Sequence, residues 1–140
     1  MPQEFIYHQL KQYRLAVLAT VWDDYQPEAA VIGIAVTRQL EILFDTVRTS
    51  RKYRNLITQP KVALVIGWDN ETTIQYEGEA TELGPHDDSY REAYFAVFPD
   101  GRMRMSTMDG LTHFVIKPKW IRYSNFNHPV KIEEWAVNIQ

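Results

Sequence analysis

The feature that most constrains the fold of this chain is a succession of short apolar runs, each ended by turn-forming residues. Leu15–Val21, Pro27–Thr37 and Leu40–Asp45 follow one another, separated only by Trp22–Gln26 and Arg38–Gln39. Short apolar runs with polar turns between them are typical of antiparallel strands joined by hairpins. Because a series of hairpins leaves unpaired edges unless it curls, we expect these strands to close into a barrel or a sandwich.

The rest of the chain continues the strand pattern and inserts helices into it. Further strands are expected at Lys61–Trp68, Thr72–Leu83, Leu111–Lys117 and Lys119–Asn125, and helices at Glu4–Tyr13, after Ser50 and at His86–Phe98. Pro118 is expected to form a bend or an edge between the last two strands, since proline cannot donate to a ladder. We therefore predict a mainly β fold with peripheral helices, in which residues 1–140 form a single domain with a small barrel of six to seven antiparallel strands.

Two later segments follow this pattern less clearly. Arg102–Asp109 is rich in methionine. We expect it to be a mobile surface loop, and the alternative is that its methionines pack against an aromatic ligand. Val130–Val137 has Ile132 and Trp135 to bury. We expect it either to add a final strand or to dock on a partner.

Composition limits the compartment and the partners of the protein. Of its 140 residues 45% are hydrophobic, which is enough for a substantial core. The absence of cysteine excludes disulfides, thiolate nucleophiles and cysteine metal sites, and it fits a reducing cytoplasm. A net charge of −3 disfavours nucleic acid, which requires a broad basic surface. No apolar run approaches the ~20 residues of a membrane span and Met1–Glu4 is unlike a signal peptide, so we expect a cytoplasmic protein that binds no membrane.

A basic cluster marks the start of the helix that follows Ser50. Arg48, Arg51, Lys52 and Arg54 crowd this start, and no acidic residue lies between the first and the last of them. A helix N-terminus is partly positive, so these cations repel it and one another unless an anion neutralises them. With the Ser50 hydroxyl as N-cap and the free N–H groups of the first turn, the cluster predicts a phosphate site. The alternative is an exposed helix face whose charges are simply solvated.

No catalytic or metal-binding pattern stands out elsewhere in the sequence. His86, Asp87 and Asp88 could be read as metal ligands, but acids in the first turn of a helix explain them better. Neither a nucleophilic triad nor a catalytic pair of carboxylates is apparent. We therefore predict no metal site and assign no catalytic residue.

The segments around the basic helix resemble a known family. They are a helix start, positions on the flanking strands and two further strand segments: Asp45-Thr46, Ser50-Arg51-Lys52, Gln59-Pro60, Trp68, Gly78, Pro27–Ile32 and Pro118–Phe126. In this order they resemble the pyridoxamine 5′-phosphate oxidase-like flavoproteins, and the resemblance covers most of the chain, from Leu15 to Phe126.

The resemblance implies a split β-barrel homodimer that binds FMN in a groove between the subunits. It implies that Ser50, Arg51 and Lys52 hold the flavin phosphate. The other contacts that it implies come from the strand before the helix, from backbone beside the flavin ring and from the strand after Trp68: Asp45, Thr46, Val31, Ile32 and Thr73.

Departures from the family pattern bear on activity. Ala30 stands where the fuller enzymes have an arginine that grips the phosphate, and Arg48 is expected to substitute for it. Ser124 stands where those enzymes have a tryptophan, and Lys131–Gln140 lacks the Arg–His pair that recognises the pyridoxal phosphate substrate. These differences predict an intact flavin site without the substrate motif.

The leading functional hypothesis is an FMN-dependent oxidoreductase with a small substrate, in which the flavin carries the hydride chemistry. The alternatives are a non-catalytic flavin carrier or sensor and a true pyridoxamine or pyridoxine phosphate oxidase. Haem is disfavoured, because none of His8, His86, His113 and His128 stands in a recognisable axial-ligand setting.

Overall fold

The computed structural model describes residues 2–137, which form a mainly β fold with short helices. The helices are α1 Pro2–Leu10, α2 Arg51–Thr58, α3 Asp88–Val97 and α4 Gly101–Thr107. The strands are β1 Leu15–Trp22, β2 Gln26–Gly33, β3 Ala35–Val36, β4 Ile42–Val47, β5 Lys61–Ile66, β6 Thr72–Glu82, β7 Leu111–Asn125 and β8 Lys131–Ala136. Apart from the two-residue β3, each strand has at least six residues. The predicted mainly β fold with peripheral helices is confirmed. None of the described helices is long and apolar enough to cross a bilayer.

The strands form one antiparallel sheet in the order β2-β1-β5-β6-β7-β4-β3, and β8 pairs with β7. β2 and β3 therefore stand at the two ends of this order. The sheet curls until β2 approaches β4 without pairing with it, and α2 packs against β1 and β4 at this opening. The architecture is a split barrel in which a helix, and not a hydrogen-bonded ladder, covers the gap.

The predicted hairpin β1–β2 shows how the sequence sets the two faces of the sheet. The strands pair along their whole length, from Leu15 opposite Gly33 to Trp22 opposite Gln26. Along β1, Ala16, Leu18 and Thr20 are buried, and the residues between them point outward. This alternation gives the barrel an inner face that packs and an outer face that remains open in the single chain.

Two clusters of apolar side chains lie on opposite faces of β4. The larger one fills the barrel and includes the following residues: Leu18, Ile42, Phe44, Leu56, Ile66, Ile74, Tyr76, Phe114 and Ile116. The smaller one lies under α3 and includes the following residues: Ala35, Leu43, Leu83, Tyr94, Phe95 and Val115. Because successive residues of a strand point to opposite sides, Leu43 and Phe44 belong to different clusters.

The two strands predicted on either side of Pro118 are one continuous strand, so the prediction of two strands was wrong, whereas the bend predicted at Pro118 is present as a bulge. The pairing between β6 and β7 shifts at this point: Glu77 faces Trp120, whereas Gly78 faces Pro118. Lys119 is thus the extra residue of a β-bulge, and Pro118, which lacks an N–H, lies directly beside it. The bulge lets a 15-residue strand bend with the barrel.

The mobile loop predicted at Arg102–Asp109 is in fact mostly helix α4. Gly101 begins this helix so close to α3 that a Cβ atom there would lie 3.0 Å from the ring of Phe95. Arg102 and Arg104 hold it through ion pairs to Glu92 and Asp45. Asp45 precedes Arg104 by 59 residues, so local composition did not reveal this contact or the helix.

The ends of the chain and the second strand also refine the predictions. Helix α1 ends at Leu10 and not at Tyr13, and the run predicted as Pro27–Thr37 divides into β2 and β3. Gly33 stands at the division, where a Cβ atom would lie 2.9 Å from the ring of Phe98. The tail forms β8, which confirms the first of its two predicted alternatives.

The bulge yields a test of stability at Gly78. A Cβ atom there would collide with the carbonyl oxygen of Lys117 and would lie 3.0 Å from Cγ2 of Ile116. We expect Gly78→Ala to lower the free energy of unfolding by about 1–3 kcal/mol, measured by urea denaturation. Gly84→Ala is the control, because its Cβ would meet nothing closer than 3.6 Å. Equal stability of the two variants would contradict the tight packing at the bulge.

Candidate functional site

The start of α2 is built around the Ser50 side chain, as the sequence predicted. Ser50 is the N-cap, and its Oγ accepts a hydrogen bond from the Tyr53 N–H at 3.2 Å. The same Oγ lies 2.9 Å from Oγ1 of Thr46, so the two hydroxyls share a hydrogen bond. The end of β4 and the first turn of α2 are therefore fixed against each other, with the first-turn N–H groups at a defined place.

The cations of α2 meet an acid that the local sequence did not reveal. Glu28 of β2 forms ion pairs with Arg51 and with Arg54, the latter at 3.3 Å. Nδ2 of Asn55 donates to the same carboxylate at 2.8 Å. Hydrogen bonds from Arg51 and Asn55 hold the pKa of the Glu28 carboxyl below its usual range. The signal that could have found it is a lone acid at an inward position of an otherwise apolar strand.

Asn55 links this carboxylate to the barrel. The residue is fully buried, and its Nδ2 also donates to Oγ1 of the buried Thr20 at 2.8 Å. Beside it, the Arg54 guanidinium lies over the Trp22 ring, 3.8 Å from the ring centre. Glu28 therefore rests on groups that β1 and α2 hold in place.

Arg48 is directed to a second acid, Glu82 at the end of β6. Its Nη2 lies 3.1 Å from Oε2 of Glu82. Tyr53 and Thr112 donate to the same carboxylate at 2.9 and 2.5 Å. Burial opposes ionisation of Glu82, but the hydrogen bonds from Thr112, Tyr53 and Arg48 outweigh it and hold the pKa below its usual range.

A groove of about 410 Å³ opens between the start of α2 and β2. It is lined by residues of β1, β2 and α2: Leu18, Thr20, Pro27, Glu28, Ala29, Ala30, Arg51 and Lys52. Lys52 forms no ion pair within residues 2–137, in contrast to the three arginines around it. The four cations of the helix start face two carboxylates, so the cluster keeps a net charge of about +2, and Lys52 is its one member without an ion pair within residues 2–137.

The other predicted ligands divide between this groove and other places. Val31 and Ile32 lie on β2, the edge strand beside the groove, with side chains that are 61% and 5% exposed. Thr46 is joined to Ser50 at the helix start. Thr73 lies at the beginning of β6, opposite Ser124, and does not line the groove.

Asp45 points to the face of β4 opposite the groove. Its Oδ2 accepts from Nη2 of Arg104 at 3.1 Å. His113 lies on the same side, buried edge-on against the rings of Tyr94 and Phe95. Burial lowers the pKa of His113, with a smaller opposing effect from Asp45. This group packs under α3 and α4, away from Lys52.

Of the two acids predicted in the first turn of α3, the structure places only Asp88 there. Asp87 precedes the helix, and its carboxylate accepts from the Gly84 N–H at 2.7 Å instead of capping the first turn. Asp88 occupies the first turn. Within residues 2–137 there is no group of three or more His, Cys, Asp or Glu side chains that could hold a metal ion.

Comparison with known proteins decides the family. The family model described as pyridoxamine 5′-phosphate oxidase matches residues 3–125, which is most of the chain. The chain belongs to the pyridoxamine 5′-phosphate oxidase family. The match spans β1 to β7, so it includes both the groove and the strand order that positions it.

One curated relative is similar to this chain in sequence. The pyridoxine/pyridoxamine 5′-phosphate oxidase of Acaryochloris marina is 31% identical over 100 residues, which cover 71% of this chain and 44% of the relative. The chain thus spans less than half of the length of this curated relative.

Two solved structures share the fold at low identity. One is a pyridoxamine 5′-phosphate oxidase-related, FMN binding protein from Nostoc punctiforme, with a TM-score of 0.65 at 15% identity. The superposition covers 98% of this chain and 93% of the Nostoc chain. The other is a heme binding protein from Mycobacterium smegmatis, with a TM-score of 0.78 at 13% identity. The superposition covers 97% of this chain and 58% of the Mycobacterium chain.

The charge of the groove comes from few side chains. Ala30, which the resemblance placed at the position of an arginine, lines the groove beside Glu28. Arg48, which was expected to substitute, is held by Glu82. The cations that do line the groove are Arg51 and Lys52.

The buried asparagine provides a test of the site as a structural unit. We expect Asn55→Ala to lower the free energy of unfolding by about 1–3 kcal/mol, because Thr20 and Glu28 lose a buried donor. Asn127→Ala is the control: this exposed side chain also donates a hydrogen bond, to the Asn70 carbonyl at 2.8 Å. Its effect should stay within about 0.5 kcal/mol, as for most surface changes. Urea denaturation measures both, and similar losses would contradict the central place of Asn55.

Proposed function

We propose that this protein binds FMN, with the flavin phosphate in the groove at the start of α2. The observation that carries the proposal is the pair Arg51 and Lys52 beside an ordered, Ser50-capped helix N-terminus. Free N–H groups of a first helical turn and adjacent cations are a common arrangement for phosphate. The family membership supports the same ligand.

The charge of the groove fits a phosphate monoester. Two cationic charges at the helix start remain unbalanced after the ion pairs to Glu28 and Glu82 are counted. A phosphate monoester carries about −1.5 to −2 charges near neutral pH. Lys52, which is unpaired among the described residues, would supply a point charge, and Arg51 a planar guanidinium that can donate two parallel hydrogen bonds.

The edge strand β2 is suited to the flavin ring. Because β2 pairs only with β1 among the described strands, one side of its backbone has N–H and C=O groups without a ladder partner there. In this proposal, the backbone of Val31 and Ile32 donates to and accepts from the polar edge of the ring. FMN supplies hydride and electron transfer when bound. The residues of this chain bind the phosphate, orient the ring and exclude water from one side of it.

We also propose that the flavin lies between two copies of the chain. The outward residues of β1, β2 and β5 are mostly apolar and partly or well exposed: Leu15, Val17, Ala19, Val21, Ala29, Val31, Ala63 and Val65. An apolar sheet face of this kind is typical of an interface. Thr73 belongs to the outward series of β6, so in a dimer formed through this face it meets the flavin from the partner subunit.

The reaction that we propose is oxidation or reduction of a small substrate by the bound flavin. Ser124 and the β8 strand stand in place of the tryptophan and the Arg–His segment expected of the fuller enzymes. A site without these groups favours a substrate other than pyridoxamine phosphate, or a flavin carrier. Turnover with NADH or NADPH and oxygen separates the oxidoreductase from the carrier, and release of pyridoxal phosphate would identify a vitamin B6 oxidase.

The phosphate site is tested by removing its two groove-lining cations. We expect Arg51→Ala/Lys52→Ala to weaken FMN binding at least about 100-fold, since each charge-assisted hydrogen bond contributes about 1.5–3 kcal/mol. Quenching of flavin fluorescence measures the affinity. The control Lys11→Ala/Arg38→Ala removes two cations beside α1 and should leave the affinity unchanged. Undiminished binding by the first variant would refute the site.

The dimer is tested on the outward face of the sheet. We expect Val65→Glu to give a monomer in light scattering at micromolar concentration, because a buried carboxylate would have no partner on the apolar face. Ile132→Glu on β8 is the matched control, since Ile132 is 44% exposed and Val65 is 41% exposed. A wild-type monomer, or a dimer that survives Val65→Glu, would contradict the proposed interface.

A further inference from the structure

The groove proposed for a phosphate already contains an anion of the protein itself. Glu28 lines the groove together with Arg51 and Lys52, and its carboxylate is paired with Arg51 and Arg54. Its side chain is only 12% exposed, so it does not belong to the ordinary solvated surface. A phosphate that enters the groove therefore meets guanidinium groups that have a carboxylate partner.

We propose that Glu28 is an internal counter-anion that competes with the ligand phosphate for Arg51. By neutralising part of the groove it weakens anion binding, so that the ligand exchanges readily with solvent instead of remaining as a permanent cofactor. The identity of the ligand as a flavin phosphate rests on the proposed function, whereas the competition for Arg51 concerns any phosphate monoester or inorganic phosphate.

The partners of Glu28 differ in their freedom to move. Arg51 is 72% exposed at its side chain, and its only ion pair within residues 2–137 is the one to Glu28. Asn55 is fully buried and fixed to Thr20, and Arg54 is stacked on the ring of Trp22. When a phosphate binds, Arg51 can turn toward it while Asn55 and Arg54 keep the carboxylate in place.

The second acid near the helix start does not occupy a comparable position. Glu82 pairs with Arg48 and accepts from Tyr53 and Thr112. Neither Glu82 nor Arg48 lines the groove. Glu28 is thus the acid whose charge a ligand in the groove meets directly.

The test compares Glu28→Gln with the wild-type protein. Glutamine keeps an oxygen that accepts from Asn55 and removes the charge, so the fold should be preserved. We expect Glu28→Gln to bind inorganic phosphate and FMN about tenfold more tightly, because a repulsive unit charge a few ångströms from the ligand is removed. Calorimetry measures phosphate and fluorescence quenching measures FMN. Unchanged or weaker binding of phosphate would overturn the proposal and make Glu28 a residue that merely orients Arg51.

The matched control is Glu92→Gln on α3. Glu92 pairs with Arg102 at 2.8 Å, so this change removes a carboxylate from an arginine outside the groove. We expect its affinity for phosphate to equal that of the wild-type protein. A tenfold gain in this control as well would assign the effect to net charge and overturn the local role of Glu28.

A measurement on the wild-type protein covers the case in which Glu28→Gln does not fold. In NMR spectra, inorganic phosphate should shift the Arg51 Nε–H signal and leave the Asn55 side-chain amide signals nearly unchanged. An Arg51 signal that stays constant at saturating phosphate would overturn the competition.

The flavin proposal and the counter-anion proposal fail in different ways. Tighter phosphate binding by Glu28→Gln, with no FMN binding by either protein, would support the counter-anion and refute the flavin site. If both proteins bind FMN, and Glu28→Gln binds FMN and phosphate no more tightly than the wild-type protein does, the result would support the flavin site and refute the counter-anion.

Discussion

The structure depends on helix α2 to close a barrel that its strands leave open. β2 ends the sheet on one side, and within residues 2–137 no strand pairs with its outer edge. The buried side chain of Asn55 reaches across to Thr20 of β1 and Glu28 of β2, while Leu56 enters the core. An exposed strand edge is otherwise a site of aggregation, so a helix fixed by buried hydrogen bonds is a physical solution to an incomplete sheet.

The same closure explains why the candidate site lies at the split. A helix placed across the opening begins there, and its first-turn residues Arg51 and Lys52 line the groove. The short connection from β4 leaves little freedom in this placement, since Thr46 and Ser50 are hydrogen-bonded to each other. The free edge of β2 supplies backbone groups from the other side. Stability and the proposed ligand binding thus use one helix, with Asn55 and Leu56 turned inward and Arg51 and Lys52 lining the groove.

The features that the sequence predicted are those set by neighbouring residues. Ser50 as N-cap, the β1–β2 hairpin and the cation cluster depend on local spacing, and the structure has each of them. Glu28, by contrast, precedes its partner Arg51 by 23 residues. Its pairing depends on how the sheet curls, which no local pattern encodes. Helix α4 and the single strand through Pro118 were missed for the same reason, because Asp45 and Gly78 stabilise them from distant segments.

The alternation of β2 places residues 28 and 30 on the same inward side of the strand, facing the groove. The charge of Glu28 therefore acts directly on any anion there, whereas Val31 points outward, to the face proposed for a second chain. The resemblance placed an arginine at the position of Ala30, whereas this chain has a carboxylate at position 28 and no charge at position 30. In the function proposed above, the smaller positive charge of the groove favours a ligand that binds reversibly.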